Sequence, residues 1–164
     1  MAKYQNEGLN IIAERYPDID FSDVDGKNVA LVGAICEKLG IDINLTILPN
    51  GHPGYYDHQT NTIMVNDEQP ATRNLFTVAH ELGHYILHEG TNNRYDEYHK
   101  YTPEERKKEF QANDFAGKLL MPEKQFIQSF RKNNGILLDV AYEFGVSVRA
   151  CEVRAFNLGL VTNL

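Results

Sequence analysis

The sequence predicts an α+β fold, with a small antiparallel sheet early in the chain and a helical bundle after it. Three observations predict it. Residues 41–48, "IDINLTIL", alternate Ile41, Ile43, Leu45 and Ile47 with polar neighbours, the period-2 pattern of a half-buried strand. Residues 55–65, "YYDHQTNTIMV", read as a hairpin with "DHQTN" as its turn. From residue 70 onward the apolar residues recur at helical spacing.

The elements follow in order. "EGLNIIAERYP" predicts a short helix with Leu9, Ile12 and Ala13 on one side, ended by Pro17. "DGKNVALVGAICEKLG" predicts a second helix, with Val29, Leu31, Val32, Ile35, Cys36 and Leu39 inward and Gly40 as its stop. The alternating strand comes next, then a stretch rich in glycine and proline, then a strand at 62–65. Asp67 or Glu68 ahead of Pro70 looks like a helix start: a local acceptor, then proline in the first turn. That helix should reach about His88, with Gly90 stopping it. "EGTNNRYDEYHKYTP" is a polar loop. Thr102 caps the following helix, with Pro103 first and Glu105 reaching back as in a capping box. The helix runs to Leu120, Met121 and Pro122 break it, and "PEKQFIQSFRKN" begins another. "ILLDVAYEFG" and "VRACEVRAFNLG" complete the chain as short helices. No repeat or low-complexity tract interrupts this order.

The 164 residues suit one domain, 1–164. A formal net charge of −7 argues against a general DNA-binding surface, so no direct nucleic-acid binding is expected. Cys36 and Cys151 lie in apolar helical patterns and read as buried free thiols, which suits a reducing cytosol. No secretion signal is visible, and the apolar runs are far short of a membrane span. A cytoplasmic protein without a membrane partner is the expectation.

Chemistry concentrates in "FTVAHELGHYILH", residues 76–88. His80 and His84 are four apart and face the same way on a helix, so both imidazoles can reach one zinc ion. Glu81 sits beside the first histidine, where its carboxylate reaches a water on the metal rather than the metal itself. That is HExxH: two ligands and a general base. The competing reading is two core histidines satisfied by hydrogen bonds. Phe76, Ala79, Gly83, Ile86 and Leu87 give this helix its packing surface, and Gly83 would let another backbone pass close by.

Catalytic zinc takes three protein ligands. His88 continues the spacing, but a straight helix does not wrap three successive turns around one small ion. His88 is left to orient a ligand, cap the helix end or face solvent. The pattern HExxHxxGxxH fails at Leu87 and Gly90. The better source is the next helix. Its inward side reads from Ala112, Phe115, Ala116, Leu119 and Leu120, and Glu109 lies three residues before Ala112 and seven before Ala116. A carboxylate there needs a partner, which zinc or a lysine would supply. Asn113, four beyond Glu109, can hydrogen-bond near the site, while Gln111, Asp114 and Lys118 fall on the polar side. Glu104 and Glu105 are better explained as first-turn residues. With zinc in place, Glu81 takes a proton from water and passes it to the leaving amine. Oxyanion donors are sought among Tyr55, Tyr56, His52, His58, Tyr95 and His99, with no choice among them.

These motifs resemble the ImmA/IrrE family of metallopeptidases over most of the chain. "FTVAHELGHYILH" is similar to the family's first motif and "EFQANDFAGKLLMP" to its second, whose glutamate four residues before the asparagine is the third zinc ligand, here Glu109. "GYYDHQTNTIMVN" resembles the sheet before the active-site helix, and "AYEFGVSVRACEVRAFNLGL" the C-terminal helical segment. The resemblance implies a zincin-like, thermolysin-like core and one Zn2+ ion held by His80, His84 and Glu109. It also implies an endopeptidase that cleaves a helix-turn-helix transcriptional repressor and so derepresses mobile-element, prophage or stress genes.

Two alternatives stand beside it. One is a zinc-containing regulator or toxin–antitoxin component that binds a repressor without cutting it; the other is hydrolysis of a non-peptide amide. Residues 136–160 carry a superficial helix-turn-helix pattern. Glu152 between Arg149 and Arg154, with Cys151, Val153, Ala155 and Phe156 as core, makes them packed C-terminal helices instead, and the arginines could grip a protein partner.

Overall fold

The computed structural model describes residues 3–24, 27–88 and 102–164. The described elements are α1 (Glu7–Arg15), α2 (Asn28–Leu39), β1 (Asp42–Thr46), β2 (Gly54–Asp57), β3 (Thr62–Asn66), α3 (Ala71–Leu87), α4 (Pro103–Leu120), α5 (Glu123–Lys132), α6 (Leu137–Phe144) and α7 (Val148–Asn157). The α+β order of the sequence is the order of the fold. Gly40 ends α2 in the left-handed region, with φ 71°. Thr102 accepts from the Glu105 amide and Pro103 opens α4. Residues 89–101, on which the expected polar loop and the stop at Gly90 fall, lie outside the described residues.

The sheet is mixed, which corrects the expected antiparallel one. Its strand order is β1-β3-β2. β2 and β3 form the expected antiparallel hairpin, whereas β1 runs parallel to β3. The reason lies in residues 47–53. This connection carries Pro49 and Pro53, with Asn50 and Gly51 at positive φ. It takes the chain past the position beside β1 to the far edge, and β3 then returns between the two.

That placement changes what the alternation in β1 means. Ile43 pairs with Ile63 and Leu45 with Val65, so these residues share a face. Ile63 and Val65 are fully buried, but Ile43, Leu45 and Ile47 are 41%, 55% and 69% exposed because β1 is an edge strand. Val29, expected inward on α2, is also exposed.

Helix α3 crosses between the sheet and α4, and its contact with α4 is the largest between any two elements. No side chain caps its start. Pro70 is the N-cap residue, and the Asn66 side chain instead accepts from the Glu68 amide. Ala79, Leu82, Ala116, Leu119, Phe126 and Val140 are all completely buried, so the core runs without a break from α3 to the C-terminal helices. Cys36 and Cys151 are buried free thiols, and burial pushes both up to about 12. Among the described residues no helix is long and apolar enough to cross a membrane.

The C-terminal helices are tied down by one arginine. Arg154 is buried; its Nε donates to the Met121 carbonyl at 2.9 Å and its Nη2 to Glu7 at 3.1 Å. It therefore links α7 to the end of α4 and to α1, and is committed internally rather than free for a partner. Val153 and Phe156, expected as core, are instead 36% and 43% exposed. Arg154→Met keeps the apolar stem and removes the donors. It is expected to lower unfolding stability by roughly 2 kcal/mol, the worth of a charge-assisted bond to a buried carbonyl. Urea denaturation with an unchanged slope checks this; an unchanged midpoint would contradict it.

Candidate metal centre

The stripe His80, His84 and His88 arises because α3 buries Leu75, Ala79, Leu82 and Ile86 elsewhere and leaves every fourth residue facing α4. Gly83 allows the approach of α4. A Cβ at that position would stand 3.0 Å from Phe115 Cδ1 and 3.1 Å from the Ala112 carbonyl oxygen. Alanine at 83 would push the helices apart at the point where their side chains must converge.

Glu109 on α4 meets both rings. Its Oε2 is 2.8 Å from His80 Nε2 and 3.2 Å from His84 Nε2, and the two Nε2 atoms are 3.2 Å apart. These three donor atoms form a group that could hold a metal ion. Nitrogen and oxygen ligands at about 2.0–2.1 Å from a tetrahedral zinc lie roughly 3.3 Å from one another. Two edges of the triangle already have that length, and the third needs to open by only about half an ångström to reach it. The residues present fit the ion.

The outer nitrogens are fixed too. His80 Nδ1 lies 2.7 Å from Asn113 Oδ1, which can only accept, so Nδ1 carries a proton and Nε2, once deprotonated, would present its lone pair to a cation. His84 is set by a relay. Gln111 Oε1 accepts from His88 Nε2 at 2.8 Å, and His88 Nδ1 then accepts from His84 Nδ1 at 3.1 Å. With a cation bound, His84 Nε2 would thereby present its lone pair to the ion beside Glu109. Of the three roles left open to it, His88 fills two: it is the C-cap residue of α3, and its ring stands where it can orient His84. Gln111, assigned to the polar side of its helix, is part of the site. Its signal was present, because Phe115, four residues on, is core. Partners that orient metal-bound histidines typically contribute 10–100-fold in metal affinity. His88→Ala and Gln111→Ala are each expected to weaken zinc binding in about that range. Competition with a fluorescent chelator measures it, and affinities equal to wild type would remove the relay.

Glu81 is buried, 7% exposed. Tyr56 is committed to the sheet: it is buried, and its hydroxyl donates to Asn61 Oδ1. His52 packs edge-on against Tyr55, and His58 against Tyr56. Tyr95 and His99 lie outside the described residues.

The electrostatics are those of a shared proton. Burial opposes a charged His80, but the hydrogen bond to Glu109 and the charges of Glu81 and Glu109 outweigh it, and its pKa is raised above the ordinary 6.5. Burial also opposes a charged Glu109. Hydrogen bonds from His80 and His84, and their charge, overcome this and hold the carboxyl well below its ordinary 4.5.

The signs give a pH prediction. In the metal-free chain the pair adds stability fully between the ordinary values of 4.5 and 6.5. That stability is lost as pH rises through the raised His80 value, and as pH falls through the depressed Glu109 value. A cation requires deprotonated rings, so binding reverses the upper limb. Melting curves from pH 6 to 8.5 should fall without zinc and rise or stay level with it. Parallel curves would contradict this.

A family model described as the IrrE N-terminal-like domain, Peptidase M78, matches residues 36–156. No curated protein matches the chain. Among solved structures, a Mycobacterium tuberculosis transcriptional regulator is similar, with a TM-score of 0.64 and 18% identity over 91% of this chain and 46% of that one. This chain therefore spans about half the length of that protein, and at that identity the likeness is one of fold.

Proposed function

We propose a function from one premise: the chain belongs to the family of IrrE N-terminal-like domains, a metallopeptidase family. It acts as a zinc-dependent endopeptidase on a helix-turn-helix transcriptional repressor. The observation that carries this reading is the convergence of His80, His84 and Glu109, whose donor atoms all lie within 4.8 Å of one another. Two imidazoles and one carboxylate, without thiolate, suit zinc.

A zinc ion held there would supply Lewis acidity and lower the pKa of a water. The chain's own residues do the rest. Asn113 and His88 hold the two rings in the tautomer that points Nε2 inward. Glu81 accepts a proton from the attacking water and returns it to the leaving amine. Residues 1–164 work as one peptidase domain, with 136–160 as packed C-terminal helices. The reaction takes place in the cytoplasm, on the repressor protein rather than on DNA, in keeping with the net charge of −7.

A second reading, a zinc-containing regulator that binds a repressor without cutting it, draws on the structural neighbour, a transcriptional regulator. Glu81 favours the peptidase, since a site that only holds metal has no need of a base. Co-expression with the repressor encoded beside this gene, followed by intact mass, separates the two. The peptidase predicts a new fragment pair; a stable complex with no fragment favours the non-cleaving regulator.

A further inference from the structure

Helix α4 carries a single glycine, Gly117, buried in its last turns. Glycine is the poorest helix former after proline, so its presence inside a helix asks for a reason. Gly83 has one in the approach of α4. Gly117 does not: a Cβ there would meet only Arg154 Cδ, at 3.9 Å, an ordinary contact, and its φ is not positive. What the missing side chain leaves is space. Gly117 forms part of the lining of a groove of about 640 Å³ between α3, α4 and α7.

The groove has the form of a side-chain pocket. Met121, 1% exposed, lines it together with Gly117, and its walls include Phe76, Phe110 and Val153. Phe110 is 68% exposed although it adjoins Glu109, and Val153 is one of the two residues of α7 expected as core but exposed. Both are unexplained by packing and both face this space. The groove also adjoins the metal centre. Asn113, which accepts from His80, is part of its lining, and Phe76 is one turn before His80. Glu109, Asn113 and Gly117 are spaced four apart on one face of α4, so the groove extends from about 6 to about 12 Å along the helix from the carboxylate. An extended peptide advances about 3.3 Å per residue.

From these observations we infer that the groove is a specificity subsite of the peptidase. It takes a large apolar side chain, leucine or phenylalanine, two to four residues from the cleaved bond, and Gly117 sets its depth. This rests on the peptidase reading for its occupant, the substrate peptide.

The test reads binding alone. The 15N-labelled, zinc-loaded chain is titrated with N-acetyl-phenylalanine amide, and with N-acetyl-alanine amide as control. The expected result is saturable amide shifts clustered at residues 76, 117 and 153 for the phenylalanine probe, and none for the alanine probe. Gly117→Leu should bind the phenylalanine probe at least tenfold more weakly while retaining zinc. Gly117→Ala should melt higher than wild type and bind several-fold more weakly, so the inference stays exposed even if the leucine variant does not fold. Scattered or absent shifts in wild type, or equal affinity in wild type and Gly117→Ala, would overturn it. Groove binding without repressor cleavage would sustain the subsite and count against the peptidase; cleavage without groove binding would do the reverse.

Discussion

Replacing Glu109 by alanine is expected to weaken zinc binding on the order of 10³-fold. Zinc sites of proteins contribute roughly 12 kcal/mol, and a third of that is about 4 kcal/mol, or three factors of ten. The loss should be specific to the ion. Glu109 is partly exposed, and the surrounding helix packing rests on Ala112, Phe115 and Ala116, so the metal-free variant should keep its helical circular dichroism. It should also lose the upper pH limb of the melting curve, because His80 no longer has its main partner. Chelator competition on purified Glu109→Ala measures the affinity. Affinity within a few-fold of wild type would move the third-ligand role to His88 or another carboxylate.

Replacing Glu81 by glutamine should do the opposite: zinc stays and cleavage goes. Glutamine keeps the shape and loses the basic oxygen. Positioned general bases contribute roughly 10²–10⁴-fold in rate, so repressor fragments should fall by at least that lower figure. The substitution also removes a negative charge that raises the His80 pKa, so the variant should bind zinc at slightly lower pH than wild type. Full cleavage by the zinc-loaded glutamine variant would strip Glu81 of the role of base. Loss of zinc together with cleavage would make it part of the metal-holding set instead.

The site was legible in the sequence to the extent that helical periodicity carries it. His80 and His84 share a face by their spacing, and Glu109 meets them because Ala112 and Ala116 mark its side of α4 as inward. Gln111 was passed over by the same reasoning, although core Phe115 four residues on marked its side. Residues two apart on a helix point in nearly opposite directions, so placing Glu109 inward made Gln111 look outward. His88 extends from the end of α3 to the other flank of α4, a reach no single-helix pattern encodes.

The sheet shows the matching limit. Alternation gave the correct face of β1, but not its position at the edge, since period-2 pattern is blind to what lies opposite a strand. Strand order depended on the reach of the 47–53 connection, which composition marks only as irregular. Val153 was misplaced for a related reason. A groove wall and a core wall have the same residue types, and only the missing side chain at Gly117 tells them apart.

The central claim is that His80, His84 and Glu109 hold one zinc ion with a position left for water. X-ray absorption at the zinc edge, on the reconstituted chain with metal stoichiometry measured in parallel, tests it most directly. The expected result is one zinc per chain, two imidazoles, otherwise only oxygen ligands and no sulfur, with one imidazole lost in His84→Ala. A sulfur ligand, three imidazoles, or a wild-type chain that takes up no stoichiometric zinc would contradict it.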